Sequence, residues 1–271
     1  MVLPIMRINL RDEEAASDND FKQLNSLIEK LSQKRGAQKF AEKQTTDTST
    51  NLMRKERYLQ IAFNGDANDV NRILPTIPVN DRILIEAGTP YIKREGFDGI
   101  RQIAALWRGK IVADLKTMDG AFEEVQLAAN AGATAATVLG AAPIETINLF
   151  IKTCKDFGMD SMVDMIGVDE PLKVLLHLKQ PPNVVVLHKG RDEETTRGKV
   201  IKYKHINKIR SKYDVLISAA GGVDLKEARS AIFNGANIVV VNIVSGANQW
   251  IGMRADGDVA QMAAQFLKTI E

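Results

Sequence analysis

The stretch that decides the fold is KIVADLKTMDG, from Lys110 to Gly120. After Lys110 comes the apolar run IVA, and the second part of the stretch carries three charged residues, Asp114, Lys116 and Asp119. An apolar run of this length predicts a buried strand, and parallel α/β barrels carry their functional residues at the carboxyl ends of such strands. A regular strand would place Asp114 and Lys116 on one face. The stretch therefore predicts either a binding site or a salt-bridged strand end on a solvated loop.

Outward from this stretch, strand patterns alternate with helical patterns from Tyr58 to the end of the chain, which favours parallel pairing with right-handed crossovers. The predicted strands are 59–63, 82–85, 111–113, 135–139, 161–163, 183–187, 215–218 and 238–241. The predicted helices are 67–74, 96–106, 121–131, 146–157, 171–178, 201–211, 225–233 and 258–270. Eight such repeats predict a closed (β/α)8 TIM barrel.

Residues 1–57 differ from the rest, because they are polar and poor in strand signals. Residues 17–43 carry apolar side chains at helical spacing, which predicts a helix that packs on one surface. The segment QTTDTSTN, at 44–51, is typical of a flexible linker. We therefore expect a helical extension with a linker at 1–57 and a barrel at 58–271. A partner that the sequence does not identify could bind this extension.

Composition excludes several classes of protein. The chain has 271 residues, 45% of them hydrophobic, with 36 Lys and Arg against 34 Asp and Glu. This balance provides no concentrated basic face for nucleic acid. No segment approaches the ~20 apolar residues that a membrane span needs. The single cysteine, Cys154, cannot form an internal disulfide, so we expect a soluble protein of the reducing cytoplasm.

Polar residues follow the predicted strands at their carboxyl ends, which a closed parallel barrel gathers on one rim. In chain order they are Asn64, Glu86, Asp114 with Lys116, Asp164, His188, Ser218–Gly222 and Asn242. Glu86 and Asp114 are hard oxygen ligands on adjacent strands, a suitable pair for Mg²⁺. Such a metal could bind two neighbouring sugar oxygens and stabilise an enediolate.

The other predicted rim residues have separate roles. Lys116 would add positive charge or move a proton, and His188 is a candidate acid or base because its ordinary pKa is near neutrality. Arg191 could reach a substrate oxygen, although a solvated loop arginine is the simpler interpretation. Gly221 and Gly222 stand between a strand and a helix, where bare N–H groups can hold an anion.

Six strings carry a resemblance to a known family. They are LQIAFN at 59, IEAGTPYIKREG at 85, VADLKTMDG at 112, EVQLAANAGA at 124, VLHKGRDEE at 186 and SAAGGVD at 218. Together they resemble the hexulose-6-phosphate synthase group of the orotidine-monophosphate decarboxylase superfamily, and its archaeal type most. The resemblance covers about Tyr58 to Glu271.

The resemblance implies a Mg²⁺-dependent homodimer that joins formaldehyde and ribulose 5-phosphate to arabino-3-hexulose 6-phosphate, or the reverse. It implies Glu86 and Asp114 as metal ligands, Lys116 beside the enediolate and His188 as acid and base. Asp119 matches an acid that family dimers insert into the neighbouring subunit's site. For the substrate, the resemblance implies contacts from Asn64, where relatives have aspartate, and from two phosphate turns, Gly221–Gly222 and Asn242–Ile243.

Two other functions stay open on the sequence. A related enzyme could decarboxylate a 3-keto-hexonate 6-phosphate through the same enediolate chemistry. A non-catalytic barrel could instead bind a phosphorylated metabolite or a partner protein, and Asn64 and Asn242–Ile243 motivate this alternative. Because the resemblance starts near Tyr58, we expect the formaldehyde-activating domain of archaeal synthases to be missing from this chain.

Overall fold

The structure is a computed structural model that describes residues 52–194, 196, 200–245 and 250–271. These residues belong to one compact unit, Thr50–Glu271. The predicted helix at 17–43 and the predicted linker at 44–51 lie outside the described residues.

Eight parallel strands form a closed ring, in which each strand pairs with the next in sequence and the last pairs with the first. They are β1 (Tyr58–Phe63), β2 (Ile83–Ala87), β3 (Lys110–Thr117), β4 (Ala135–Leu139), β5 (Asp160–Asp164), β6 (Val184–His188), β7 (Leu216–Ala220) and β8 (Ile238–Val244). The predicted TIM barrel is confirmed. A further strand, β9 (Met253–Arg254), pairs with the end of β8 and was not predicted, because two residues are too short to show a strand pattern.

Helices follow the strands around the outside of the ring. They are α1 (Ala67–Ile73), α2 (Thr89–Leu106), α3 (Ala121–Ala131), α4 (Ile144–Asp156), α5 (Pro171–Leu176), α6 (Lys204–Arg210), α7 (Leu225–Phe233) and α8 (Val259–Thr269). The start of α2 was predicted at Gly96, but Gly96 is a kink with φ of 63° between two helical segments. Pro90 fits the true first turn, where no N–H is needed. No helix within the described ranges is long and apolar enough to cross a bilayer.

The barrel interior changes character along the strands. Near the amino ends, buried apolar side chains such as Tyr58, Leu84 and Ile238 pack together, and Leu52 joins them. The segment before β1 contacts this end, since the Met53 N–H donates to the Tyr58 hydroxyl at 2.8 Å. The larger apolar core lies between the strands and the helices. The buried acids Glu86, Asp114 and Asp164 lie toward the carboxyl ends, whereas Asp160, at the start of β5, is a buried acid at the amino end.

A bulge in β3 directs Lys116 toward the barrel axis. Ala113 pairs with Ala136 and Thr117 pairs with Val138, so β3 contains two more residues than β4 over this interval. Lys116 has φ of 48°, the one positive φ among the described non-glycine residues. Asp114 and Lys116 do meet, but the simple strand alternation that we expected is the wrong reason, because the extra residues of the bulge re-aim Lys116.

Candidate active site

A cavity of about 310 Å³ opens at the carboxyl end of the barrel. Eight of the residues predicted from the sequence line it: Asn64, Glu86, Asp114, Lys116, His188, Arg191, Gly221 and Asn242. Asp164, which the sequence placed on the rim without a role, lines it too, and the structure adds Gln60, Thr89 and Thr137. The convergence of strand ends that the barrel topology predicts is therefore present.

Asp114 is held by hydrogen bonds to both of its carboxylate oxygens. The Lys116 ammonium lies 2.9 Å from each oxygen. The Thr137 hydroxyl donates to Oδ1 at 2.8 Å, and the Thr89 hydroxyl donates to Oδ2 at 2.8 Å. Thr89 and Thr137 were not predicted, because a threonine near a strand or helix end carries no distinct signal in one sequence. With the Thr89 N–H, which lies 3.4 Å from Oδ2, five donor contacts fix this carboxylate in one orientation.

Lys116 also donates to Asp164, with 2.9 Å between Nζ and Oδ2. Burial alone would lower the pKa of Lys116, but the charges of Asp114 and Asp164 outweigh it and raise the pKa above its ordinary value. The side chain is therefore an ammonium at neutral pH. Such a group can stabilise negative charge but cannot accept a proton.

Asp164 links Lys116 to His188. Its Oδ2 lies 2.8 Å from His188 Nδ1, and its side chain is 2% exposed. Burial would raise the pKa of Asp164, but His188 and Lys116 hold it well below the usual range. For the base His188 the effect of burial is the reverse and lowers the pKa. The charge of Asp164 outweighs it, so the pKa of His188 is raised above its ordinary value. Because Asp164 holds Nδ1, the Nε2 atom of His188 is left for a substrate proton.

Asp164 is the main residue that the sequence prediction left out of the site. We placed it on the rim at the end of the fifth strand without giving it a role. An acid that ends a fully buried strand is the signal that could have found it, since burying a carboxylate costs free energy unless it is paired.

Glu86 is a buried acid in the cavity wall, close to the charge of Asp114. Gln60 donates to its Oε2 through Nε2. Burial and the charge of Asp114 together raise the pKa of Glu86 to about 7, against the lowering effect of Gln60. The Gln60 Oε1 atom is itself buried without a hydrogen-bond partner. This part of the cavity therefore has an excess of negative charge and acceptor atoms.

The donor set suits a hard divalent cation. Glu86 and Asp114 come from the adjacent strands β2 and β3 and offer carboxylate oxygens. In the described ranges no cluster of three or more His, Cys, Asp or Glu residues surrounds a common point. Mg²⁺ does not need one, because it keeps several waters and takes further oxygens from a substrate. Burial first and the Asp114 charge second raise the pKa of Glu86, and a cation beside both carboxylates would offset these two effects.

The opposite wall of the cavity carries two amide side chains and is partly made of backbone. Asn64 donates from Nδ2 to Asn242 Oδ1 at 3.0 Å, across the seam between β1 and β8. Gly221 and Gly222 follow β7 with φ values of 101° and 65°. A Cβ on Gly221 would lie 1.9 Å from the Lys189 carbonyl oxygen, so only glycine fits. Successive backbone N–H groups in such a turn can hold an anion.

Most of the barrel sequence matches a known family. The model described as "Orotidine 5'-phosphate decarboxylase / HUMPS family" matches residues 57–242. The chain belongs to this family.

Curated relatives and solved structures agree with the family assignment. The Bifunctional enzyme Fae/Hps of Methanothrix thermoacetophila is 38% identical over 216 residues, which are 79% of this chain and 53% of that protein. The Fae/Hps of Methanocaldococcus jannaschii is 40% identical over 65% of this chain and 44% of its own. This family member spans about half the length of the curated relatives that it matches.

The 3-hexulose-6-phosphate synthase of Salmonella typhimurium has a similar structure, with a TM-score of 0.68 and 27% identity over 79% of this chain and 98% of that chain. The structure titled KGPDC from Streptococcus mutans has a TM-score of 0.60 and 19% identity over 80% of this chain and 98% of that chain, which shows the shared fold.

Three predicted site residues do not line the cavity of this family member. Ile243 lies inside β8, pairs with Met253 and is 6% exposed in the apolar core. The expected turn at Asn242–Ile243 is therefore wrong, because β8 continues to Val244. Gly222 lies just beyond the wall, and Asp119 is exposed between β3 and α3.

Proposed function

We propose that this chain is a Mg²⁺-dependent phosphosugar lyase of the 3-hexulose-6-phosphate synthase type. It would join formaldehyde and ribulose 5-phosphate to arabino-3-hexulose 6-phosphate, or run the reverse reaction. The observation that carries the proposal is the hydrogen-bonded chain of Asp114, Lys116, Asp164 and His188 beside the buried Glu86. The relatives named Fae/Hps and 3-hexulose-6-phosphate synthase support the same assignment.

Glu86 and Asp114 would hold the metal. When bound, a divalent ion would supply positive charge beside two neighbouring oxygens of the sugar. Gln60 donates to Glu86, and Thr89 and Thr137 donate to Asp114, so both carboxylates are already oriented. Pre-oriented ligands reduce the reorganisation that substrate binding requires.

Lys116 and His188 have separate tasks. Lys116 stays protonated between two carboxylates, so it stabilises the negative charge that develops on the enediolate. His188 removes a proton from C1 of ribulose 5-phosphate through Nε2, while Asp164 holds Nδ1 and stabilises the imidazolium. The resulting carbon nucleophile attacks the formaldehyde carbonyl, and the new alkoxide takes up a proton.

The substrate would lie across the cavity from the acidic wall to the glycine turn. Its phosphate would accept from the N–H groups of Gly221 and Gly222, with Arg191 close to the same end. Asn64 and Asn242 would contact the sugar hydroxyls between the two ends. Both are neutral, so these two side chains select by hydrogen bonding and not by charge.

We also propose a homodimer that supplies Asp119 across its interface. Asp119 is exposed and does not line its own subunit's cavity. The large apolar side chains of Met118 and Phe122 beside it are 51% and 43% exposed, a surface that a second copy could cover.

The single Cys154 is buried in α4 and needs no disulfide partner, which suits a cytoplasmic setting.

The first test is a substrate assay with purified protein. We expect Mg²⁺-dependent formation of a hexulose 6-phosphate from formaldehyde and ribulose 5-phosphate, abolished by EDTA and restored by added Mg²⁺. Release of CO₂ from 3-keto-gulonate 6-phosphate in place of this reaction would favour the decarboxylase. Absence of both activities, with activity gained in Asn64→Asp, would favour the non-catalytic barrel.

The dimer has its own test. Asp114→Ala and Asp119→Ala should each be inactive alone, whereas a mixture refolded together should regain activity, because one of its mixed sites has both acids intact. No recovery in a mixture that does form mixed dimers would remove Asp119 from the partner's site.

A further inference from the structure

Two loops meet beside the glycine turn. The loop after β6 carries Arg191 and Glu194, and the segment before β9 carries Trp250 and Ile251. Glu194 Oε2 accepts from the Ile251 N–H at 3.4 Å. The Arg191 guanidinium lies 5.7 Å from the centre of the Trp250 ring. These two contacts join the loops at the end of the cavity that the proposed function gives to the phosphate.

Glu194 reaches the glycine turn itself. A methyl group added to Gly222 would lie 3.2 Å from the carboxyl carbon of Glu194 and 3.2 Å from the Lys189 ammonium. The carboxyl group thus lies on the side of Gly222 where a Cβ would point, and Glu194 also lines the cavity. A negatively charged side chain therefore lies beside the turn to which the proposed function assigns the phosphate.

We propose that Glu194 is an internal competitor for the phosphate of the substrate. A phosphate dianion and the Glu194 carboxylate cannot share this turn, because like charges at contact distance repel strongly where water is partly excluded. Glu194 must release the Ile251 N–H and turn away before the phosphate binds. Lys189 and Arg191 then remain as cations beside the phosphate. This inference rests on the proposed function, which places the phosphate at Gly221–Gly222.

The competition makes Glu194 a residue that determines specificity. Inorganic phosphate can contact only the glycine turn, so only these contacts offset the displacement of the Glu194 carboxylate. A sugar phosphate has in addition the hydroxyl contacts at the acidic wall, so its binding free energy can offset the displacement. The site would therefore discriminate against inorganic phosphate, an abundant anion that would otherwise fill the turn.

The test compares phosphate binding by three proteins. Calorimetric titration with inorganic phosphate is done on the full-length chain, on Glu194→Gln and on Glu145→Gln. Glu145 is exposed in the first turn of α4, so its substitution removes the same charge away from the cavity. We expect Glu194→Gln to bind phosphate about tenfold more tightly, the effect of losing one nearby like charge, and Glu145→Gln to match the parent. Glu194→Ala serves as a second variant if the amide holds the Ile251 N–H in the same way.

The outcomes separate the inference from the proposed function. Unchanged or weaker phosphate binding in both Glu194 variants overturns the inference, as does a lack of phosphate binding by all the proteins. Tighter binding in Glu194→Gln supports it even if ribulose 5-phosphate is not turned over, in which case only the proposed function fails. Turnover of ribulose 5-phosphate with no change in phosphate affinity leaves the function and removes the role of Glu194.

Discussion

The two ends of the barrel interior are built by the same eight strands and differ in chemistry, although the amino end also buries one acid, Asp160. At the amino end, apolar side chains such as Leu52, Tyr58 and Ile238 pack against one another. At the carboxyl end, the buried side chains of Glu86 and Asp164 carry charge. The amino end contributes apolar burial, which stabilises the fold. The carboxyl end holds charges that the fold must pair, so we attribute it to function.

The difference predicts that substitutions at the two ends fail in different ways. Changes at the carboxyl end should remove turnover and leave the barrel folded. Changes at the amino end should weaken the barrel and leave turnover intact. A residue that breaks this separation would show that stability and chemistry are not divided along the strands.

Asp114→Ala should have the largest effect on turnover. The substitution removes a proposed metal ligand and one of the two carboxylates that hold Lys116. We expect kcat with Mg²⁺ and ribulose 5-phosphate to fall at least ~1,000-fold, while circular dichroism shows the parent's secondary structure. Asp98→Ala, at an exposed surface acid, is the control and should turn over normally. Turnover close to the parent's would remove Asp114 from the mechanism.

Asp164→Asn should have the next largest effect. The amide keeps the shape but removes the charge that pairs with Lys116 and His188, so we expect kcat to fall about 100-fold. Burial lowers the pKa of His188 and Asp164 raises it, so loss of the charge should move this pKa downward. NMR titration can follow it, since the chain has only 3 histidines. Asp156→Asn, at a surface ion pair, is the control. An unchanged His188 pKa would contradict the pairing.

Sequence reasoning found the strand ends better than it found the contacts between them. Glu86, Asp114, Lys116 and His188 were predictable, because charged residues that end apolar runs must gather on one rim once the barrel closes. Asp164 was seen but not used, because its role comes from its distances to Lys116 and His188, which lie on other strands. A contact between strands has no periodic signal along the chain.

The other differences have local causes. Lys116 faces the cavity because of a bulge with positive φ, and bulge positions are decided by pairing with β4. Ile243 was predicted in a turn because relatives have one there. Here β9 pairs with the end of β8 and extends it, so Ile243 is buried in the core. Both differences depend on neighbouring strands that one stretch of sequence does not specify.

Glu86 should give the metal-free protein a pH-dependent stability. Burial and Asp114 raise its pKa to about 7 in the folded state, against 4.5 ordinarily. A raised acid pKa means that the folded state binds more protons between these two values. Its contribution to stability is therefore complete below about pH 4.5 and is lost as pH rises through about 7. We expect the free energy of unfolding to fall by up to about 3 kcal/mol from this group.

Denaturant titrations from pH 4.5 to 8 measure this loss, and Glu86→Gln is the matched control because it cannot ionise. The difference between the two proteins isolates Glu86 from all other titrating groups. Added Mg²⁺ should reverse the loss at pH 8 in the parent but not in the variant, since the ion favours the ionised carboxylate. Parallel pH profiles for the two proteins would contradict the raised pKa.

Leu52→Ala should leave turnover unchanged and reduce stability. Leu52 is 1% exposed among the apolar residues of the amino end, although we predicted the barrel to begin only at Tyr58. Removing its side chain should lower the free energy of unfolding by about 2 kcal/mol, through lost burial and the cavity left behind. Met53→Ala is the matched control. Met53 is next to Leu52 in sequence but its side chain is 62% exposed, so its removal should hardly change the free energy of unfolding. If Leu52→Ala were as stable as Met53→Ala, the segment before β1 would not belong to the barrel. If it lowered kcat instead, the two ends would be coupled through the strands.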